Sequence, residues 1–130
     1  MTPVTWQRTE SALIAIAVLV LPVVGFGYAW WWPLALFLAF DLSAVGYAAN
    51  PRVGAALYNA GHSYIGPVLC AAAFAVTGAD ALMIVATSWA FHVAADRALG
   101  YGLKHPDHFQ HTHLGWIGRS RDPAERAPGE

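Results

Sequence analysis

The sequence predicts an all-α fold: a four-helix transmembrane bundle with a histidine-rich interfacial segment at its C-terminal end. Three observations carry this. Of 130 residues, 57% are hydrophobic and 12% are charged, about half the roughly 25% usual in a soluble domain. The charges avoid three long blocks of chain, and the six Trp and five Tyr suit a chain whose aromatics sit at membrane interfaces. Finally, five of the six histidines fall between His92 and His113, just where the last apolar run ends.

The length is that of one domain. The first segment, residues 11–28, is nearly all Ala, Leu, Ile and Val. At ~1.5 Å per residue it approaches the ~30 Å of a hydrocarbon core. Glu10 stands at its start, where a helix dipole favours a carboxylate, and Pro22 and Gly25 bend its far end. No small-residue cleavage site follows, so the segment reads as a retained helix rather than a signal peptide. Trp30, Trp31, Trp32 and Pro33 make an uncharged turn of the kind found in aromatic belts. The second segment, 33–48, carries Asp41 at its middle, and Asn50-Pro51-Arg52 forms the next turn.

The third segment, 53–76, holds Asn59, His62, Ser63 and Tyr64 in its first half. Gly54 and Gly61 share a face that lets a neighbouring helix approach. After a turn at 77–80, the fourth segment, 81–99, carries His92 and Asp96 one helical turn apart. Cys70 lies in an apolar run and serves packing, with no disulfide framework or Cys-rich metal motif around it.

All seven Lys and Arg lie before the first segment, in the second turn, or at and beyond the end of the fourth. Four spans put those regions on one side, which the positive-inside rule makes cytoplasmic, with both termini there. Counting inward from the cytoplasmic ends puts Asp41, His62 and His92 about 10–13 Å deep, Asn59 about 9 Å and Asp96 about 5 Å. Glu10 sits at the rim. Polar groups from all four helices therefore meet at one level, and the opposite half is apolar.

Such groups are expensive in a bilayer and must face the bundle. Carboxylates and imidazoles projecting from facing helices suit iron, zinc or manganese, so Asp41, His62, His92 and Asp96 are candidate metal ligands, with Glu10 and Asn59 as further polar members. The alternative is that they pair with one another and fix helix register.

Beyond Gly102 the chain cannot continue as a membrane helix, because Pro106 and the polar residues around it break the pattern. Residues 103–118 read as an interfacial segment anchored by Leu103, Phe109, Leu114, Trp116 and Ile117. His113 is the tail histidine expected to reach the bundle mouth as a fifth ligand, while His105 and His108 face solvent. Residues 1–118 are thus the membrane domain, and 119–130 have the composition of a disordered end.

Several stretches carry a resemblance: Asp41-Leu42-Ser43 with Gly46-Tyr47; Pro51-Arg52-Val53-Gly54-Ala55 with Tyr58-Asn59 and His62; Leu99-Gly100-Tyr101-Gly102-Leu103-Lys104; and Thr112-His113-Leu114-Gly115. Together the chain resembles an uncharacterised bacterial family of small four-helix integral membrane proteins, a domain-of-unknown-function family, over about residues 10–118. The resemblance implies a multi-pass protein of the bacterial inner membrane and supplies no activity. His105 and His111 depart from the family pattern, which favours aromatic and acidic residues there.

Three functions compete. The first is a membrane-embedded metal-dependent enzyme taking a small or lipophilic substrate from the cytoplasmic leaflet. The second is a proton- or ion-linked carrier using the same carboxylates and histidines; a homo-oligomer would have to supply its path across the apolar half. The third is a scaffold subunit whose polar set serves assembly alone. The lipid bilayer is the expected partner in each. Nucleic acid is excluded, since a net charge of −1 leaves no basic stripe to neutralise phosphates.

Overall fold

The computed structural model describes residues 1–118, so the expected disordered end at 119–130 lies outside the described residues. In chain order the elements are α1 (Pro3–Phe26), α2 (Trp32–Ala35), a 3-10 helix (Phe37–Ala48), α3 (Pro51–Gly61), α4 (Ile65–Thr77), α5 (Asp80–Leu99), β1 (His111–Thr112) and β2 (Gly115–Trp116). They form a helical bundle of four rods: α1, α2 with the 3-10 helix, α3 with α4, and α5. The hub is α5, which packs against α1, α2, the 3-10 helix and α4. Its inner face supplies the buried residues Ala86, Ser88, His92, Val93 and Ala94.

Three rods differ from the expected segments, the first in where it starts and the other two in helical continuity. The first begins at Pro3, not near residue 11, because the Thr2 side chain accepts a hydrogen bond from the Thr5 N–H and Pro3 occupies the first turn. There a missing N–H costs nothing and the fixed φ favours the helix. Glu10 therefore lies two turns inside α1, where no dipole argument applies. It is exposed and has no ion pair among the described residues.

The second rod is α-helical for only four residues and then runs as a twelve-residue 3-10 helix. With three residues per turn, Phe37, Phe40, Ser43 and Gly46 fall on one face. That face is the inner one: Phe37 and Phe40 pack on the His92 ring with centroids at 4.5 and 5.6 Å, and Gly46 is buried. Leu38, Leu42 and Val45 turn outward and are largely exposed. The tighter coil also lengthens the rod. At ~2.0 Å per residue its 3-10 part covers about 24 Å, and α2 adds about 6 Å, together the thickness of a hydrocarbon core.

The third rod breaks at His62-Ser63-Tyr64. Pro67 is the cause: in a continuous helix its ring would collide with the carbonyl four residues back, and it offers no N–H. In the first turn of α4 it is tolerated. The freed carbonyls find side-chain donors, Gly61 O from Trp89 Nε1 at 2.5 Å and His62 O from Arg97 Nη2 at 3.5 Å. Gly61 is required where it sits, because a Cβ there would come within 2.5 Å of Ser43 on the 3-10 helix.

The last helix stops at Gly100, whose left-handed φ of 101° lets the Tyr101 N–H reach back to Asp96 O at 2.8 Å, a Schellman-type closure. Arg8 of α1 donates to Ala98 O at 2.9 Å. Beyond it the chain forms a strap across this end of the bundle. β1 and β2 pair antiparallel, His111 with Trp116 and Thr112 with Gly115, and Lys104 bridges antiparallel to Thr112.

Two stretches, Pro3–Phe26 and Pro51–Thr77, are long and apolar enough to cross a membrane. Large apolar side chains line the outside of the bundle, Val76 being 87% exposed, with Val24, Leu38, Leu42 and Ile65 also well exposed.

Candidate metal centre

Three rods converge where the third is broken. His62 terminates α3, His92 and Asp96 stand one turn apart on α5, and Asp41 comes from the 3-10 helix. One ligand atom from each of these four residues lies within 4.8 Å of the others. The two Nε2 atoms of His62 and His92 are 2.9 Å apart. From His62 Nε2 to Asp96 Oδ2 is 3.3 Å and to Asp41 Oδ1 3.5 Å; from His92 Nε2 the same oxygens are at 3.7 and 3.6 Å. A tetrahedral ion with bonds of ~2.0–2.1 Å sets its ligand atoms about 3.3 Å apart. The observed separations straddle that value.

Tautomers follow from the other ring nitrogens. His62 Nδ1 lies 3.0 Å from the Tyr58 carbonyl and 3.3 Å from Ser43 Oγ. Donating to that carbonyl fixes the proton on Nδ1 and turns the Nε2 lone pair toward the cluster, the arrangement metal-binding histidines use. Tyr58 also stacks on the His62 ring at 3.7 Å, so the ring cannot rotate away. His92 is fully buried. Its Nδ1 has no hydrogen bond of good geometry, although the Phe37 backbone faces it closely enough to interact.

Access is asymmetric. The His92 side chain is 0% exposed, Asp96 15% and Asp41 46%. The two carboxylates open into a cavity of about 300 Å³ that also takes in Tyr58, Lys104, Phe109 and Ile117. The strap therefore roofs the site, but not through the residue the sequence suggested. His113 accepts the Leu103 N–H on Nδ1 at 2.8 Å, and its Nε2 lies 3.2 Å from the Gln7 side-chain amide. Both nitrogens are occupied away from the four-residue cluster, so His113 is a strap-folding residue. Asn59 is likewise engaged: its Oδ1 accepts Lys104 N–H at 2.7 Å and its Nδ2 donates to Lys104 O at 2.9 Å. It pins the strap to α3 and leaves no group for a ligand. His105 and His108 are exposed, as expected.

Sequence reading missed Lys104. Its side chain is only 5% exposed, with the ammonium 3.7 Å from the Phe109 ring centre and 4.8 Å from that of Tyr58. Burial pushes its pKa down, and the Asp96 charge opposes that push. The available signal was that it is the chain's one lysine, set directly after the Gly-Tyr-Gly break.

Over residues 4–117 the chain matches the family described as a domain of unknown function (DUF4260). The chain belongs to that family. No curated protein and no solved structure matches it, so chemistry has to be argued from the cluster itself.

Proposed function

We propose that this DUF4260 protein is an integral membrane protein whose Asp41, His62, His92 and Asp96 hold a divalent transition metal at the heart of a metal-dependent enzyme. One observation carries the reading: two histidine Nε2 atoms 2.9 Å apart, flanked by two carboxylates within 3.7 Å. With His62 Nδ1 bonded to the Tyr58 carbonyl, the His62 Nε2 lone pair and two carboxylates gather around one point, and a cation there balances their charge. The donor set of two imidazoles and two carboxylates suits zinc, iron(II) or manganese.

When bound, such an ion polarises a substrate oxygen or lowers the pKa of water. The chain's own contribution is orientation and exclusion of water. Tyr58 and Ser43 fix the His62 ring, Phe37 and Phe40 wall off His92, and the strap closes the cavity on the side of Asp41 and Asp96.

The membrane reading rests on the apolar outer surface of the rods, which is too extensive for a soluble monomer. It also rests on the basic residues gathered at the strap end of the bundle. That arrangement implies a multi-pass protein with both termini cytoplasmic. Reporter fusions after Trp32 or Val76 should then report the outer side, and the reverse result would overturn the topology. Metal analysis of detergent-purified protein tests the centre. About one equivalent is expected, and less than roughly a tenth after reconstitution with zinc, iron(II) and manganese overturns it.

A further inference from the structure

We propose that the cavity beneath the strap binds a small organic carboxylate, its anionic group held by the Lys104 ammonium and its apolar body lying against Phe109 and Ile117. This deepens the metal-centre reading and rests on it.

An ammonium carries three N–H donors. That of Lys104 faces two aromatic rings and makes no hydrogen bond or ion pair among the described residues. Ring faces attract the charge but do not satisfy directed N–H groups, so its donors are left to whatever occupies the cavity. The chain nevertheless holds it in place: Asn59 clamps both backbone polar groups of Lys104, and the bridge to Thr112 fixes its register in the strap. A lysine held so firmly, with its donors unspent at the edge of a cavity of about 300 Å³, is placed to receive an acceptor from outside the chain.

Charge identifies that acceptor. Once a divalent ion balances Asp41 and Asp96, the single positive charge of Lys104 is left over, and a monoanion neutralises it. The remaining walls are aromatic and aliphatic, which selects an organic anion over a free inorganic one. At the lower end of the size range for small-molecule sites, the cavity takes a compact molecule. An anion held by Lys104 also lies beside the two carboxylates that would bind the metal, so its reacting atoms can reach the centre.

Benzoate and its neutral counterpart benzamide are suitable probes of the full-length, metal-loaded protein in detergent. Calorimetric titration should show benzoate binding about tenfold to a hundredfold more tightly than benzamide, as a charge-assisted hydrogen bond implies, and Lys104→Gln should abolish that preference while keeping its metal. A second readout needs no variant. Because Lys104 is the chain's one lysine, acylation of its peptide, followed by mass spectrometry, should be slowed by benzoate and not by benzamide. Equal binding and equal protection by the two probes overturn the proposal. Full metal occupancy with no benzoate preference leaves the metal centre standing and removes the lysine site. Benzoate preference in protein that takes up no metal removes the centre and keeps the lysine site, and failure of both measurements removes both.

Discussion

Two groups of histidines occupy this small chain, and they are built on opposite plans. In the bundle, His62 and His92 are buried, come from different rods and aim the same ring nitrogen at one point. In the strap, His105 stacks on His111 at 4.1 Å and His111 on Trp116 at 4.6 Å, while His111 Nδ1 meets the Asp107 carboxylate of its own loop at 2.8 Å. Strap histidines spend their nitrogens and ring faces on local folding. Of the bundle histidines, His62 spends Nδ1 on the Tyr58 carbonyl, and both turn Nε2 toward the two carboxylates. Sequence density points to the strap; chemistry points to the bundle.

The comparison breaks most visibly on metal content. His92→Ala should reduce metal affinity by at least about a hundredfold, because it removes a ligand from a closed set and leaves no replacement. His105→Ala and His108→Ala should leave stoichiometry unchanged. Equal loss across the three variants would mean that the metal, if bound, sits in the strap.

Next in size is the join between the two regions. Asn59→Ala deletes both side-chain hydrogen bonds to the Lys104 backbone and strands that N–H and carbonyl, at a cost of about 1–3 kcal/mol. Faster hydrogen exchange is expected at Lys104 and along the strap, with metal content retained. Gly61→Ala attacks the bundle side instead. Its new Cβ would come within 2.5 Å of Ser43, and separating the 3-10 helix from α3 moves Asp41 away from His62. A loss of about 1–3 kcal/mol of stability is expected from overpacking, together with weakened metal binding. Calorimetric unfolding and metal titration of the same sample separate the two variants.

Much of this was legible beforehand, for identifiable reasons. A helical rise and a topology suffice to estimate depth, and that arithmetic put Asp41, His62 and His92 at similar depth, with Asp96 one helical turn nearer the rim. What failed was local geometry. Pro67 already signalled that the third segment could not run unbroken, but an apolar run of membrane length overrode it. Phe37, Phe40, Ser43 and Gly46 recur every three residues, the period of a 3-10 helix, in a segment whose exposed positions, Asp41 apart, are also apolar. Amphipathic contrast, the usual guide to period, was therefore missing. The choice of His113 among the strap histidines failed differently, and Lys104 was missed for the same reason. Which strap side chain points inward depends on the register of a hairpin two residues long per strand, and one step of register reverses every side chain.

The smallest expected effect is a pH dependence that separates the two regions without any mutation. Hydrogen bonding from His111 holds the Asp107 carboxyl below its ordinary value. A carboxyl depressed in the folded state binds fewer protons there than in the unfolded chain. Its contribution is therefore fully present above the unfolded value of ~3.9 and is lost as pH falls through the lower, folded value. Asp107 is exposed, so solvent screening keeps the gain small. Metal release follows another rule: every ligand must be deprotonated to bind, and loss of any one of four to a proton weakens the whole set, so acid displaces the ion. Acidification should thus empty the centre first and loosen the strap second. Metal content and exchange at the His108 amide, which donates to Asp107 at 2.8 Å, can be followed in one titration. Asp107→Asn should erase the second step and leave the first in place. If both steps move together, strap and centre form one cooperative unit, and the division of labour between the two sets of histidines is wrong.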